Sequence, residues 1–212
     1  MKTALIWGAG GIGLAIAEKA KAEGFNVIVL VHNELTSDAH LRELADFVLE
    51  CDLGDPAQVQ SAVLAVGQQV EQVHWWVYAA GDIGAIPLSK MDKTGWKKIM
   101  DANLNGVAYS MLYGSALLAT DGVITILGAV SEKMRMPGLS AYAAAKAGVE
   151  ALAEVAGKEL RKPVQVLRPG AVDTAFWNRV PFRLPAGALS AADVAEKAYS
   201  YYLEKRSGLI DL

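Results

Sequence analysis

The chain has 212 residues, 53% hydrophobic and only 20% charged, with a mean hydropathy of +0.25. That supports one sizeable core, is short for two domains, and excludes a disordered protein. A net charge of −3 without a long charge run offers no nucleic-acid groove and no basic membrane face, and the single Cys51 excludes an internal disulfide. Cys51 reads as strand filling, and a reducing, cytoplasmic setting is expected.

Lys2 ahead of an apolar run imitates a signal peptide, but Gly8, Gly10, Gly11 and Gly13 break the run and charges follow. No stretch has about 18 uninterrupted apolar residues, so no membrane span is expected. Thr3 to Trp7 reads as a buried strand, Leu14 to Glu23 as a helix stopped by Gly24, and Val27 to Val31 as a second strand. Together they predict a right-handed βαβ unit.

Gly8-Ala9-Gly10-Gly11-Ile12-Gly13 fits G-x-G-x-x-G between that strand and helix. Glycines there make a tight turn and admit a pyrophosphate to the helix N-terminus. Gly8, Gly10, Gly11, Ile12 and Gly13 are therefore expected to bind a dinucleotide. A merely tight turn is the poorer reading, because the flanking elements also match.

An acid at the end of the second strand would hold the ribose 2′-hydroxyl and repel a 2′-phosphate. The chain reads Val31-His32-Asn33 there, with no acid before Glu34 and no Arg or Lys alongside. This favours NADP over NAD, with His32 and Asn33 near the 2′ position. His32 reads equally well as an ordinary surface residue.

Leu41 to Leu44 suggests a short helix, and Phe47 to Cys51 a third strand. Asp55 before Pro56 opens a helix running to about Val70. His74 to Ala79 is a fourth strand, closed by Ala80-Gly81, which leaves room for a ligand. Gly84 to Lys90 reads as a loop. Thr94 to Leu118 reads as one long helix, although Asn103-Leu104-Asn105-Gly106 are poor helix formers. Either a buried polar role or a tolerated kink would explain them. Gly122 to Leu127 is a fifth strand, Ser131 to Gly138 a loop, Leu139 to Leu160 a helix and Pro163 to Leu167 a sixth strand. A last helix runs from Ala191 to about Leu203 behind the N-cap Ser190, and Leu209-Ile210 offers a short final strand. No repeat or linker interrupts residues 1–212. The fold class expected is therefore α/β: a single-domain, Rossmann-like, doubly wound parallel sheet.

Tyr142 and Lys146, four apart on one helix, fall on the same face. An ammonium there can favour a phenolate and so tune a Tyr for proton transfer to a carbonyl oxygen. Spacing alone is weak evidence, since Tyr201 and Lys205 repeat it on a helix read as surface. The surrounding motifs favour Tyr142 and Lys146.

In this order the motifs resemble the short-chain dehydrogenase/reductase family, from Thr3 to about Leu203. Gly8 to Gly13 looks like its cofactor loop, one residue shorter than T-G-x-x-x-G-x-G. Asp52 and Leu53 look like the pair that contacts adenine. Ala79-Ala80-Gly81 is similar to N-N-A-G without either Asn. Pro169-Gly170-Ala171-Val172-Asp173-Thr174 matches P-G-x-V-x-T, so Pro169, Gly170, Val172 and Thr174 are expected at the nicotinamide end. The resemblance also implies roles for Tyr142 as acid/base, Lys146 on the ribose and under the Tyr pKa, and Asn103 in a water relay. It implies a small carbonyl, alcohol or imine substrate, NADP or NAD, and a homodimer or homotetramer.

One departure stands out. The family's catalytic Ser lies about thirteen residues before the Tyr, where this chain has Ala129. Ser131 and Ser140 are the nearest replacements. A branch resembling dihydropteridine reductase also lacks the Ser and takes an activated substrate. The short segment Ala175 to Leu189 holds Phe176, Trp177 and Phe182, which read equally as a substrate lid or a core cap. Ala129 and the short C-terminus keep a non-catalytic dinucleotide-binding or sensor protein as the alternative. Three His and one Cys without ligand spacing predict no metal site, and the absence of G-x-S-x-G disfavours a hydrolase.

Overall fold

The structure, a computed structural model, describes residues 1–33 and 39–212; Glu34 lies outside them. The chain begins β1 (Thr3–Trp7), α1 (Ile12–Ala22), β2 (Asn26–Val31), α2 (Ala39–Leu44) and β3 (Phe47–Glu50). It continues through α3 (Pro56–Gln69), β4 (Val73–Tyr78), α4 (Lys93–Met100), α5 (Gly106–Gly114) and β5 (Leu118–Leu127). Then come α6 (Ser140–Leu160), β6 (Val164–Arg168), β7 (Val172–Asp173), β8 (Leu189–Ser190), α7 (Ala191–Glu204) and β9 (Gly208–Asp211).

Seven strands form one parallel sheet in the order β3-β2-β1-β4-β5-β6-β9, the doubly wound architecture expected. Helices α1, α2 and α7 supply the core on one face, and α3, α5 and α6 the core on the other. All five residues of β1 are buried, which is why the strand reads as a continuous apolar run. The two-residue strand period splits Trp75 and Trp76 between the faces. Trp75 stacks on Tyr202 of α7 (5.1 Å between centroids), and Trp76 packs against Trp7 (5.5 Å). Burying each ring contributes about 4–6 kcal/mol by area, an upper bound. The Trp75 Nε1–H and Gln165 Nε2–H both donate to Thr125 Oγ1, at 2.9 and 2.7 Å, satisfying polar groups buried across three strands.

Most boundaries fall within a few residues of expectation. The long helix predicted over Thr94 to Leu118 is instead two, α4 and α5, joined by a π-type turn at Asp101–Asn105. The poor helix formers sit in that turn, and the Asn103 amide donates to carbonyls of Ile99 and Asp82, 2.8 and 2.7 Å away. Strand β5 begins at Leu118, not Gly122, because Leu118 already pairs with Val73 ahead of a register shift. The strands β7 and β8 were not expected. Among the described residues no helix is long and apolar enough to cross a membrane.

Candidate active site

The sheet order reverses between β1 and β4, so a crevice opens beyond the carboxyl ends of those strands. The glycine loop leaves β1 there. Gly8 has φ +91, and a Cβ on it would fall 2.6 Å from the Ala80 Cα. A Cβ on Gly13 would fall 2.0 Å from the Gly8 carbonyl oxygen, so both positions require glycine. Among the described residues nothing occupies the space where a Gly10 side chain would be, and no side chain caps α1. The uncapped helix end and open Gly10 fit a pyrophosphate.

The other expected cofactor residues lie on the same edge. His32 and Asn33 are exposed just past β2. Asp52 and Leu53 open the β3–α3 loop, where Asp52 Oδ1 accepts the Gly54 N–H at 2.9 Å. Pro169 is buried and Gly170 exposed after β6, Val172 lies in β7, and Thr174 reaches the glycine loop, 2.8 Å from a Cβ built on Gly11.

Gly81, Asn103 and Lys146 converge. A Cβ on Gly81 would meet Asn103 Oδ1 at 3.0 Å and Lys146 Nζ at 4.0 Å. Asn103 is 1% exposed, and its Oδ1 has no partner among the described residues. An orphaned buried acceptor is costly unless it serves a ligand or water. Lys146 Nζ donates to the Leu127 carbonyl at 2.9 Å and stands 5.6 Å from the Tyr142 ring centroid.

Burial controls both titrating groups. It pushes the Tyr142 hydroxyl well above its usual range and the Lys146 ammonium down to about 8. The expected lowering of the Tyr142 pKa by Lys146 is therefore not found in this structure, where desolvation is the cause acting on the phenol. Tyr201 is a different case: Arg206 covers its ring at 5.1 Å, and Lys205 has turned into a left-handed cap.

The position of the missing Ser is apolar. Ala129 packs with Ile99, Ala141 and Tyr142 beside Ile83, Met91, Met134 and Phe176. Ser131 cannot replace it, because its hydroxyl donates to Glu150 Oε2 at 3.1 Å. Ser140 keeps a buried hydroxyl with no partner among the described residues, but it precedes Tyr142 by two residues, roughly 200° round the helix. In the segment after β7, Phe176 faces Tyr142 at 6.1 Å, while the Trp177 indole donates to the Val172 carbonyl at 2.9 Å and anchors the segment.

Asp82 and Arg179 join the site from outside the sequence motifs. Asp82 follows Gly81, accepts Asn103 through its carbonyl, and holds Arg179 (2.7 Å) and Lys98 (3.0 Å) through its carboxylate. An acid directly after the glycine that ends a central strand was the available signal. Arg168 also lies outside those motifs: it ties β6 to Glu132, Glu150 and Asp211, at 3.3, 3.2 and 2.7 Å.

Residues 2–182 match the family model described as short chain dehydrogenase. The chain is 32% identical over 184 residues to the 3-oxoacyl-[acyl-carrier-protein] reductase MabA of Mycobacterium tuberculosis, covering 84% of this chain and 72% of that protein. With the 3-oxoacyl-[acyl-carrier-protein] reductase FabG of Escherichia coli it shares 27% over 229 residues, covering 99% and 92%. An alcohol dehydrogenase from the archaeon Thermococcus sibiricus, solved with 5-hydroxy-NADP, superposes with a TM-score of 0.88 at 25% identity, over 100% of this chain and 96% of that one. With the fold and these matches together, the chain belongs to the short-chain dehydrogenase family and is an NAD(P)-dependent oxidoreductase.

Proposed function

We propose that this protein reduces the carbonyl of a small-molecule substrate, with NADPH as the preferred cofactor. The observation that carries this reading is the convergence of Lys146, Gly81 and the unpartnered Asn103 Oδ1 beside Tyr142, at the crevice where the glycine loop ends. Gly8 to Gly13, Asp52, Leu53, Ala80, Gly81, Pro169, Gly170, Val172 and Thr174 would hold the cofactor, with His32 and Asn33 near its 2′ position. When bound, the cofactor supplies the hydride.

Tyr142 keeps its proton at neutral pH and can donate it to the substrate oxygen as negative charge develops there. Lys146 stabilises the phenolate left behind and shares the ribose. Asn103 Oδ1 orients a water that returns the proton to Tyr142. Phe176 and the apolar wall exclude bulk water. Without a hydroxyl at Ala129, the oxygen receives fewer donors, which favours carbonyls already activated by a neighbouring group. The 3-oxoacyl substrates named for MabA and FabG are of that kind, and the 5-hydroxy-NADP in the archaeal structure supports NADP.

A homodimer through α5 and α6 is also proposed, since Leu112 and Val155 are exposed there among small residues. Light scattering tests it.

Titration with NADPH and NADH, read by energy transfer from the Trp residues, should show tighter NADPH binding. Loss of nicotinamide absorbance with a 3-oxoacyl thioester should then follow, and Tyr142→Phe should abolish it while cofactor affinity stays nearly intact. Turnover surviving in Tyr142→Phe would overturn the mechanism. Cofactor binding without turnover of any carbonyl would favour a sensor.

A further inference from the structure

The apolar cluster at Tyr142 is flanked along the chain by charged residues. Its wall residues Met91 and Met134 come from two loops bridged by the Ile86 N–H and Gly138 carbonyl, 2.9 Å apart. Each wall residue is flanked in the chain by cations: Lys90 and Lys93 beside Met91, and Lys133 and Arg135 beside Met134. All four cations are exposed, and among the described residues none lies within ion-pair distance of a carboxylate.

The interleaved acids are already engaged. Asp92 caps α4 by accepting the Gly95 N–H at 2.7 Å, Glu132 faces Arg168, and Asp82 holds Arg179 and Lys98. Asp173, three residues before Phe176, has no such partner among the described residues. Leu88 and Met136, 68% and 42% exposed, lie on the same two loops. The usual fate of surface Lys and Arg is plain solvation. Here four of them flank the two loops that pack on Tyr142, only Arg135 feels a carboxylate (Glu132, beyond ion-pair distance), and they oppose the sign of a chain whose net charge is −3.

We propose that the crevice beside these two loops receives an anionic amphiphile: a carbonyl substrate with an apolar reacting end and a carboxylate or phosphate at its far end. The proposal rests on the reading of Tyr142 as the reacting centre. The apolar wall takes the reacting end out of water, while Lys90, Lys93, Lys133 and Arg135 attract the anion and raise its local concentration. One exposed pair contributes little, so the effect needs several cations acting together, worth about tenfold in affinity.

The test is equilibrium binding by calorimetry to protein saturated with NADP⁺, where no ketone reduction can run. The probes are 9-oxodecanoate, 9-oxodecyl phosphate and the uncharged methyl 9-oxodecanoate. At low salt one or both anions should bind about tenfold tighter than the ester. The tighter anion identifies the handle. The preference should shrink in about 1 M salt, where screening length falls to about 3 Å. It should vanish when all four cations are changed, as Lys90→Gln, Lys93→Gln, Lys133→Gln and Arg135→Gln together. Equal binding of ester and anions, failure of all three to bind, or a preference that survives the four substitutions would overturn the proposal. Reduction of a 3-oxoacyl thioester with NADPH, and its loss in Tyr142→Phe, reads the reductase assignment separately.

Discussion

Arg179 reaches across the cleft to Asp82, its Nη1 lying 2.7 Å from Oδ1 over a separation of 97 residues. The contact joins the segment after β7 to the loop after β4, and Asp82 in turn holds Asn103 through its carbonyl. Asp82 is largely buried while Arg179 is mostly exposed, so breaking the pair strands the acid more than the base. Asp82→Ala should therefore loosen the segment after β7 and lower kcat/KM by about tenfold, mainly through KM. Arg179→Ala should do less. The double variant Asp82→Arg with Arg179→Asp should recover part of the loss, which a merely misfolded loop would not. Steady-state kinetics of the three proteins decide it, and an unchanged KM in Asp82→Ala would count against the clasp.

Two glycines of one loop should respond oppositely. A Cβ on Gly13 would strike the Gly8 carbonyl, whereas a Cβ on Gly10 meets nothing among the described residues. Gly10→Ala should keep the melting temperature within a few degrees and weaken NADPH binding, because the methyl group occupies space expected for the pyrophosphate. Gly13→Ala should lose several kcal/mol of stability, as backbone must move. Thermal melts with and without NADPH separate the two. Equal melting losses in both variants would mean that the open side of Gly10 is not where the cofactor approaches.

The strands were legible because burial on both sheet faces leaves uninterrupted apolar runs, as in Thr3–Trp7. The glycine loop was legible because its spacing is set by backbone sterics that few other arrangements need. The break between α4 and α5 was only half visible: Asn103 and Gly106 looked wrong for a helix, but the carbonyls that accept the Asn103 amide lie in another loop and in the preceding turn. The Asp82–Arg179 pair was not legible, since nothing local ties residues so far apart. The Lys146 effect on Tyr142 was inferred from helical spacing, which cannot weigh an ion pair against desolvation.

Ala129 offers a direct test of how much one hydroxyl matters. It is buried against Tyr142 and Ala141. Ala129→Ser should raise kcat on unactivated ketones by about 10² if the new hydroxyl reaches the substrate oxygen, the scale of a single added donor. The same change should cost about 1–2 kcal/mol of stability, because the hydroxyl enters an apolar cluster. Activated substrates should gain less. Rates on a plain ketone and a 3-oxoacyl thioester, with parallel denaturant melts, check both halves. No change on either substrate would show that the oxygen lies out of reach of this position.

Lys146 should reveal a cost that function imposes on folding. Burial lowers its pKa to about 8 from the ordinary 10.5. Below pH 8 the side chain is charged in both states, and the folded protein bears the full cost of the buried charge. Between pH 8 and 10.5 the unfolded chain holds the proton and the folded protein has released it, so that cost fades as pH rises. The shift corresponds to roughly 3 kcal/mol, reduced by about 1 kcal/mol for the bond to the Leu127 carbonyl that a Met cannot make. Lys146→Met should therefore be inactive yet more stable than the parent at pH 7, by about 1–2 kcal/mol. Its advantage should narrow steadily through the window from pH 8 to 10.5. Cys51 and Tyr142, whose pKa values burial raises, keep their protons in the folded state through that window in both proteins and cancel in the difference. Urea denaturation of the pair across that window measures it. A stability gap independent of pH would mean that Lys146 does not carry a buried charge at neutral pH.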